Sequence, residues 1–188
     1  MEKECKSLKI KKSDLLFYIC LIVAFFTFLL VFQPVRVEGS SMESTLFNGD
    51  FLLMKRDWLI DSYMQEDIVV AAKDSFRNGE LIIKRIVAVE GQVVDIDNDT
   101  GIVFVDGIAL KETYVSSLTY ESGEIMFPIT VADNCYFVLG DNRDDSLDSR
   151  YFAVGQIHRS EIKGKIICLL FPGISEGEYN LTRIGSIK

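Results

Sequence analysis

The sequence predicts an all-β domain carried behind one N-terminal transmembrane helix. Three observations predict it. Residues 15–32 read LLFYICLIVAFFTFLLVF, 18 apolar or nearly apolar residues without a charge, the minimum for a helix that crosses a bilayer core. After this run the period changes: short stretches rich in Val, Ile and Phe recur between Gly, Asp and Asn, the pattern of strands joined by turns. No apolar stripe of helical period and useful length follows the first run.

The first run is apolar on every face, unlike the one-sided stripe of a core helix. It is followed by QPVRVEG rather than by small residues in an A-x-A pattern, so it reads as a retained anchor and not as a cleaved leader. Five lysines (Lys3, Lys6, Lys9, Lys11, Lys12) precede it and only Arg36 follows closely. Positive charge stays in the cytoplasm. The expected organisation is therefore a cytoplasmic N-terminus over 1–14, an anchor over 15–32, and an extracytoplasmic domain over 33–188.

Within that domain the strand pattern marks 50–56, 67–72, 80–91, 92–97, 101–107, 135–141 and 161–172. DNDTG (97–101) and VDG (105–107) are hairpin turn signals. Residues 57–65 have room for a short helix, and 111–130 reads as loop. The apolar fraction is 48%, enough to bury a core. Net charge is −8, and the first 14 residues are net positive, so the remainder is more acidic still. Such a surface is a poor partner for nucleic acid. Cys5, Cys20, Cys135 and Cys168 form no C-x-x-C pair and the chain has one His, so no metal site of the Cys/His type is expected. Cys135 and Cys168 are either a pair or two buried thiols.

Three segments differ from ordinary strand punctuation: GSSMESTL (39–46), IIKRIVAVEG (82–91) and GDNRDDSLDSR (140–150). A serine hydroxyl needs a base to lose its proton at neutral pH. Two residues are candidates. His158 lies in the polar segment GQIHRSEI, where a histidine is normally solvated. Lys84 lies inside LIIKRI, on the same strand face as Ile82, with Arg85 and Ile83 on the other. A Lys–Arg pair in a strand ordinarily solubilises a sheet edge. As a base, Lys84 would have to be buried without a paired carboxylate, so that desolvation lowers its pKa. A drop of about three units costs roughly 4 kcal/mol.

Taken together, these segments resemble the type I signal peptidases of the single-pass bacterial type, membrane-bound serine proteases that remove signal peptides from exported proteins. SMESTL resembles the family's S-M-x-P-T-L box, EDIVV (66–70) its G-D-I-V-V segment, and IIKRIVAVEG its K-R-V-I-G-x-P-G-D box. GDNRDDSLDSR matches G-D-N-R-x-x-S-x-D-S-R at every fixed position. Order, spacing and the anchor agree from about residue 10 to about residue 173.

The resemblance implies a β-rich catalytic domain with a smaller β extension, here about 97–130, and a Ser/Lys dyad of Ser41 as nucleophile and Lys84 as general base. Ser146 matches the serine that hydrogen-bonds and orients the lysine. Asp141 matches the acid paired with the arginine after the base, Arg85, and Asp148 with Arg150 matches a second structural pair. The Ser41 N–H would be an oxyanion donor. Where some relatives add a serine hydroxyl, this chain has Gly39, so backbone donors would carry that stabilisation, about 3–4 kcal/mol each. Ser40 would point the other way along an extended chain. Val37, Leu46, Ile82 and Ile83 are the expected groove residues. No cofactor is implied. The implied partners are signal peptides with Ala-x-Ala-type sites and membrane lipid, which Trp58, Leu59, Phe47 or Phe51 would touch.

Ser44 stands at the box proline, Glu66 at the glycine before Asp67, and Glu90-Gly91-Gln92 at the P-G-D. These departures leave the proposed catalytic groups intact and open the range of clients, specialised ones such as pilin subunits included. Two rival readings are a self-cleaving repressor with a related Ser/Lys fold, which the anchor and the acidic charge disfavour, and a non-catalytic assembly factor for exported subunits, which the intact Ser41, Lys84 and Ser146 disfavour.

Overall fold

The computed structural model describes residues 11–73, 76, 79–175, 178–185 and 187. It divides into two units, at Phe32 and Gln33.

The first unit contains helix α1 (Lys12–Val31), 20 residues with none buried. At 1.5 Å per residue it is about 30 Å long, the thickness of a bilayer's hydrocarbon core. It starts before the apolar run, with Lys12, and stops one residue short of its end. Pro34 accounts for the stop, because the residue before a proline is driven to extended backbone and Phe32 is already there (φ −118°, ψ 148°).

The second unit is almost all β. Its strands are β1 (Phe32–Arg36), β2 (Phe51–Arg56), β3 (Ile68–Ala72), β4 (Leu81–Val89), β5 (Val93–Asp97), β6 (Ile102–Val105), β7 (Ile108–Ala109), β8 (Ile129–Thr130), β9 (Cys135–Leu139), β10 (Ile157–His158), β11 (Ile162–Phe171), β12 (Ile174–Ser175) and β13 (Glu178–Tyr179). The segment considered for a short helix holds a single 3-10 turn, Asp57–Leu59. The main sheet runs β1-β2-β11-β3-β4-β9-β10; a second runs β7-β6-β5-β8, and β12 pairs with β13.

β4 is the strand on which the site depends. Even-numbered Ile82 and Ile86 pack into one core cluster with Val69, Ala71, Val138 and Ile157. A bulge between Ile86 and Ala88 breaks the alternation. Beyond it Val87 and Ala88 both join a different cluster, with Phe137 and Leu139 of β9 and Val94, Val103 and Val105 of the second sheet. The second sheet therefore shares its core with the main one. It also begins at Val93, earlier than the extension expected at about 97. The third cluster contains Val37, Met42 and Leu46 with Leu52, Met54, Val70, Ile166 and Leu169, beneath the loop that carries Ser41.

Cys135 on β9 and Cys168 on β11 are free thiols with β3 and β4 between their strands, which resolves the open alternative against a pair.

Candidate active site

Three pieces of chain meet at the site. The first is the loop 37–50, which leaves β1 and returns to β2. The second is the middle of β4. The third is the loop 140–150 after β9. β4 and β9 are hydrogen-bonded neighbours, with Arg85 opposite Leu139, so the 140–150 loop leaves the sheet beside Lys84. That adjacency is what brings residues 84 and 141–150 together.

Lys84 Nζ lies 2.6 Å from Ser41 Oγ. Lys84 is 4% exposed and makes no ion pair among the described residues. Burial pulls its pKa from 10.5 down to about 8, against the opposing pull of the Asp148 and Asp141 carboxylates. An amine at about 8 is neutral in an appreciable fraction of molecules near neutral pH, as a proton acceptor must be.

The loop 140–150 fixes Ser41 through its backbone. Asn142 N–H donates to the Ser41 carbonyl at 3.1 Å, and Asn142 Nδ2 to the Ser40 carbonyl at 3.2 Å. Gly140 packs against the same carbonyl: a Cβ there would collide with Ser41 O and with Ser146 Oγ. The Ser41 N–H donates to no group among the described residues. Ser40 donates its hydroxyl to Asp145 at 2.5 Å.

The acid pairs are closed and dry. Arg85 grips Asp141 with two parallel bonds, Nε at 2.8 Å and Nη2 at 2.6 Å, and Asp141 also accepts from Thr45 Oγ1 at 2.5 Å. The Tyr114 ring stacks on the Arg85 guanidinium at 3.9 Å. Asp148 receives Arg150 Nε at 2.9 Å and Nη2 at 3.0 Å, and the Gly140 N–H at 3.1 Å. Arg143, for which the sequence offered no role, is 3% exposed. It donates to the Gly140 carbonyl at 3.0 Å, to Thr119 at 2.7 Å and to both oxygens of Glu112 at 2.9 and 2.5 Å. It ties the 111–120 segment to the site loop. Its signal was the fixed arginine of the box, and the roles of Asn142 and Arg143 rest on carbonyl acceptors that no spacing rule reveals.

Two expected contacts differ. Ser146 Oγ is buried without a hydrogen-bond partner among the described residues, and no bond from it to Lys84 is present there. Leu46 is fully buried in the third cluster. It supports the loop from below because residues 42–46 form a tight turn, with Leu46 N–H bonded to the Met42 carbonyl at 2.8 Å, which directs the side chain into the core. A cavity of about 600 Å³ is lined by Val37, Ile82, Ile83, Met42, Leu147 and Asp145 among others, and both Ser41 and Lys84 open onto it. β9 pairs with β4 only from Arg85 onward, so among the described residues the β4 edge at 81–84 opposite β3 carries no strand.

The departures from the family boxes have local substitutes. Ser44 Oγ donates to the Tyr114 carbonyl at 3.0 Å. Gln92 accepts from Val89 N–H at 2.9 Å and donates to Asp106 at 3.0 Å. Glu66 sits at φ +73°, where a glycine is unstrained and an L side chain costs about 1 kcal/mol. Its backbone is held there, N–H to the Ile86 carbonyl at 2.8 Å and carbonyl from Arg85 at 3.1 Å. His158 stands on β10 with β9 between it and β4, its Nδ1 accepting from Ser160 N–H at 3.2 Å.

The model of the family "Signal peptidase, peptidase S26" matches residues 10–171. A signal peptidase I of Bacillus licheniformis is 30% identical over 150 residues, 76% of this chain and 78% of that one. Signal peptidase I P of Bacillus subtilis subsp. natto is 30% identical over 181 residues, 87% of this chain and 93% of that one. A crystal structure of a signal peptidase I from Enterococcus faecalis V583 aligns with TM-score 0.47 and 29% identity over 56% of this chain and 97% of that one. With most of its length matched and relatives aligned over most of theirs, the chain belongs to the S26 signal peptidases, a family of serine peptidases.

Proposed function

We propose that this chain is a membrane-anchored endopeptidase that cuts signal peptides from exported preproteins after small residues, with Ser41 as nucleophile and Lys84 as general base. The observation that carries the reading is the 2.6 Å contact of Nζ and Oγ around a lysine whose burial brings its pKa to about 8.

Neutral Lys84 takes the hydroxyl proton as Ser41 Oγ attacks the scissile carbonyl. The ammonium so formed protonates the leaving amine, and water completes deacylation with Lys84 again as base. The free Ser41 N–H donates to the developing oxyanion. The ammonium has three donors, and in this reading Ser146 Oγ accepts from one of them. Asp141 with Arg85, and Asp148 with Arg150, hold the base's strand against the site loop.

The substrate adds as a strand to the open edge of 81–84, with backbone bonds for affinity and side-chain pockets for selection. Val37, Ile82 and Ile83 leave room beside Ser41 for small side chains and reject large ones by packing. The helix Lys12–Val31 anchors the enzyme in the lipid, N-terminus cytoplasmic, with 33–188 outside. Trp58 and Phe51, both exposed, are available to the membrane surface.

The test is cleavage of a preprotein by the detergent-purified protein. Ser41→Ala and Lys84→Ala abolish it, and His158→Ala leaves it intact. Loss with His158→Ala and survival with Lys84→Ala would overturn the dyad.

A further inference from the structure

The family match ends at residue 171, yet the chain beyond it folds back onto the loop that carries Ser41. That loop is closed at its base by two backbone bonds, Val37 N–H to the Asp50 carbonyl at 2.8 Å and Gly49 N–H to the Val37 carbonyl at 2.9 Å. The Asp50 side chain at this base is fully buried. It accepts from Phe47 N–H at 2.9 Å and Gly173 N–H at 2.7 Å, and from Arg183 through Nη1 at 3.0 Å and Nη2 at 2.6 Å. Arg183 Nη2 also donates to the Thr45 carbonyl at 3.1 Å, and its guanidinium lies 4.4 Å from the centre of the Phe47 ring.

The backbone of this tail lies directly on the loop. A Cβ at Gly173 would strike the Asn48 carbonyl and the backbone of Gly49 and Asp50. Leu169 and Gly185 exchange both backbone bonds, at 2.8 and 3.0 Å, which returns the chain end to β11. A planar fork on a carboxylate fixes orientation as well as charge, which an ammonium does not. Thr45 is held from two sides: its hydroxyl donates to Asp141 and its carbonyl accepts from Arg183. One side of the nucleophile loop is thus fixed by the 140–150 loop, and the other by the tail.

We propose that residues 181–185 clamp the nucleophile loop and that Arg183 is a positioning residue for Ser41, acting through Asp50 and the Thr45 carbonyl. The inference rests on Ser41 being the nucleophile. A reacting atom misplaced by about 1 Å costs on the order of 100-fold in rate.

The test uses the full-length protein in detergent with a preprotein substrate. Arg183→Ala lowers kcat by about 10- to 100-fold and leaves KM within about two-fold. Arg183→Lys keeps an intermediate rate. Added methylguanidinium restores activity to Arg183→Ala and does not restore it to Ser41→Ala. The double variant Asp50→Asn/Arg183→Ala removes the uncompensated buried charge, so it folds even where the single variant does not, and its kcat stays low. An unchanged kcat in Arg183→Ala, a loss confined to KM, or wild-type kcat in the double variant would overturn the clamp. Wild-type cleavage by Ser41→Ala would overturn the nucleophile reading instead, whatever Arg183 does.

Discussion

Arg85 and Asp141 are joined by two parallel hydrogen bonds, 2.8 and 2.6 Å long, with Asp141 fully buried and Arg85 3% exposed. One end of this pair belongs to the residue after Lys84, and the other to the first charged residue of the site loop. Replacing a single partner leaves a buried charge without compensation, at about 3–5 kcal/mol. Asp141→Ala is expected to lose that much in denaturant unfolding. The double variant Arg85→Met/Asp141→Leu is expected to lose less than Asp141→Ala alone. A double loss equal to or above the single one would mean that the pair contributes net attraction rather than placement.

With Lys84 as the proposed base, the pH dependence of cleavage is expected to follow its titration. With its pKa at about 8, Lys84 is neutral in roughly a tenth of molecules at pH 7. kcat/KM should rise about tenfold per pH unit below 8 and level off above it. Asp145 is among the carboxylates that hold the pKa up, so Asp145→Asn moves this acid limb to lower pH. An acid limb that vanished in His158→Ala would identify another base.

The same lysine has a signature in stability. Its folded pKa of about 8 lies below the ordinary 10.5. Below pH 8 the protein carries the full cost of a buried ammonium, about 3 kcal/mol at 1.36 kcal/mol per unit. Between pH 8 and 10.5 the unfolded chain binds more protons than the folded one, so the lysine's contribution to stability rises with pH. Lys84→Met is therefore expected to be inactive and about 3 kcal/mol more stable than the parent at pH 7, the gap closing by pH 10.5. Unfolding at both pH values decides it. A gap independent of pH would exclude a depressed lysine.

Seven of the eight strands of four or more described residues were legible because period-2 alternation and turn residues are local signals: the expected 80–91 contains β4 at Leu81–Val89, and 161–172 contains β11 at Ile162–Phe171. β1 was not, because it follows the anchor without a turn signal, and two-residue strands such as β10 are too short to carry a period. Ser41, Lys84 and the 140–150 loop were legible only through their joint resemblance to a family, since nothing in spacing brings residue 41 beside residue 84. Leu46 lies five residues from Ser41 in the chain, which suggests the groove, whereas the turn at 42–46 sends it into the core. Arg183 was missed because its partners, Asp50 and Thr45, are more than 130 residues away in the chain.

Gly140 offers the most local test of how closely the site is packed. Its φ is not the reason for glycine; the space is. A Cβ at this position would meet Ser146 Oγ, Ser146 Cβ and the Ser41 carbonyl at distances that atoms do not adopt. Ser146 cannot retreat freely, because Arg150 and Asp148 lock the same loop from within. Nor can the Ser41 carbonyl shift without loosening its bond from Asn142 N–H. The added methyl must therefore displace Ser41, the loop, or both. Overpacking of this kind costs about 1–3 kcal/mol, and displacement of Ser41 by about 1 Å costs on the order of 100-fold in kcat. Gly140→Ala is expected to fold with reduced stability and to cut at about a hundredth of the parent rate. The control is Gly107→Ala, where a Cβ meets nothing within 4 Å on a hairpin in the second sheet. It carries instead a backbone penalty from φ +77°, about 1 kcal/mol, and is expected to retain activity. Equal kcat losses in the two variants would show that the rate follows general destabilisation rather than the placement of Ser41.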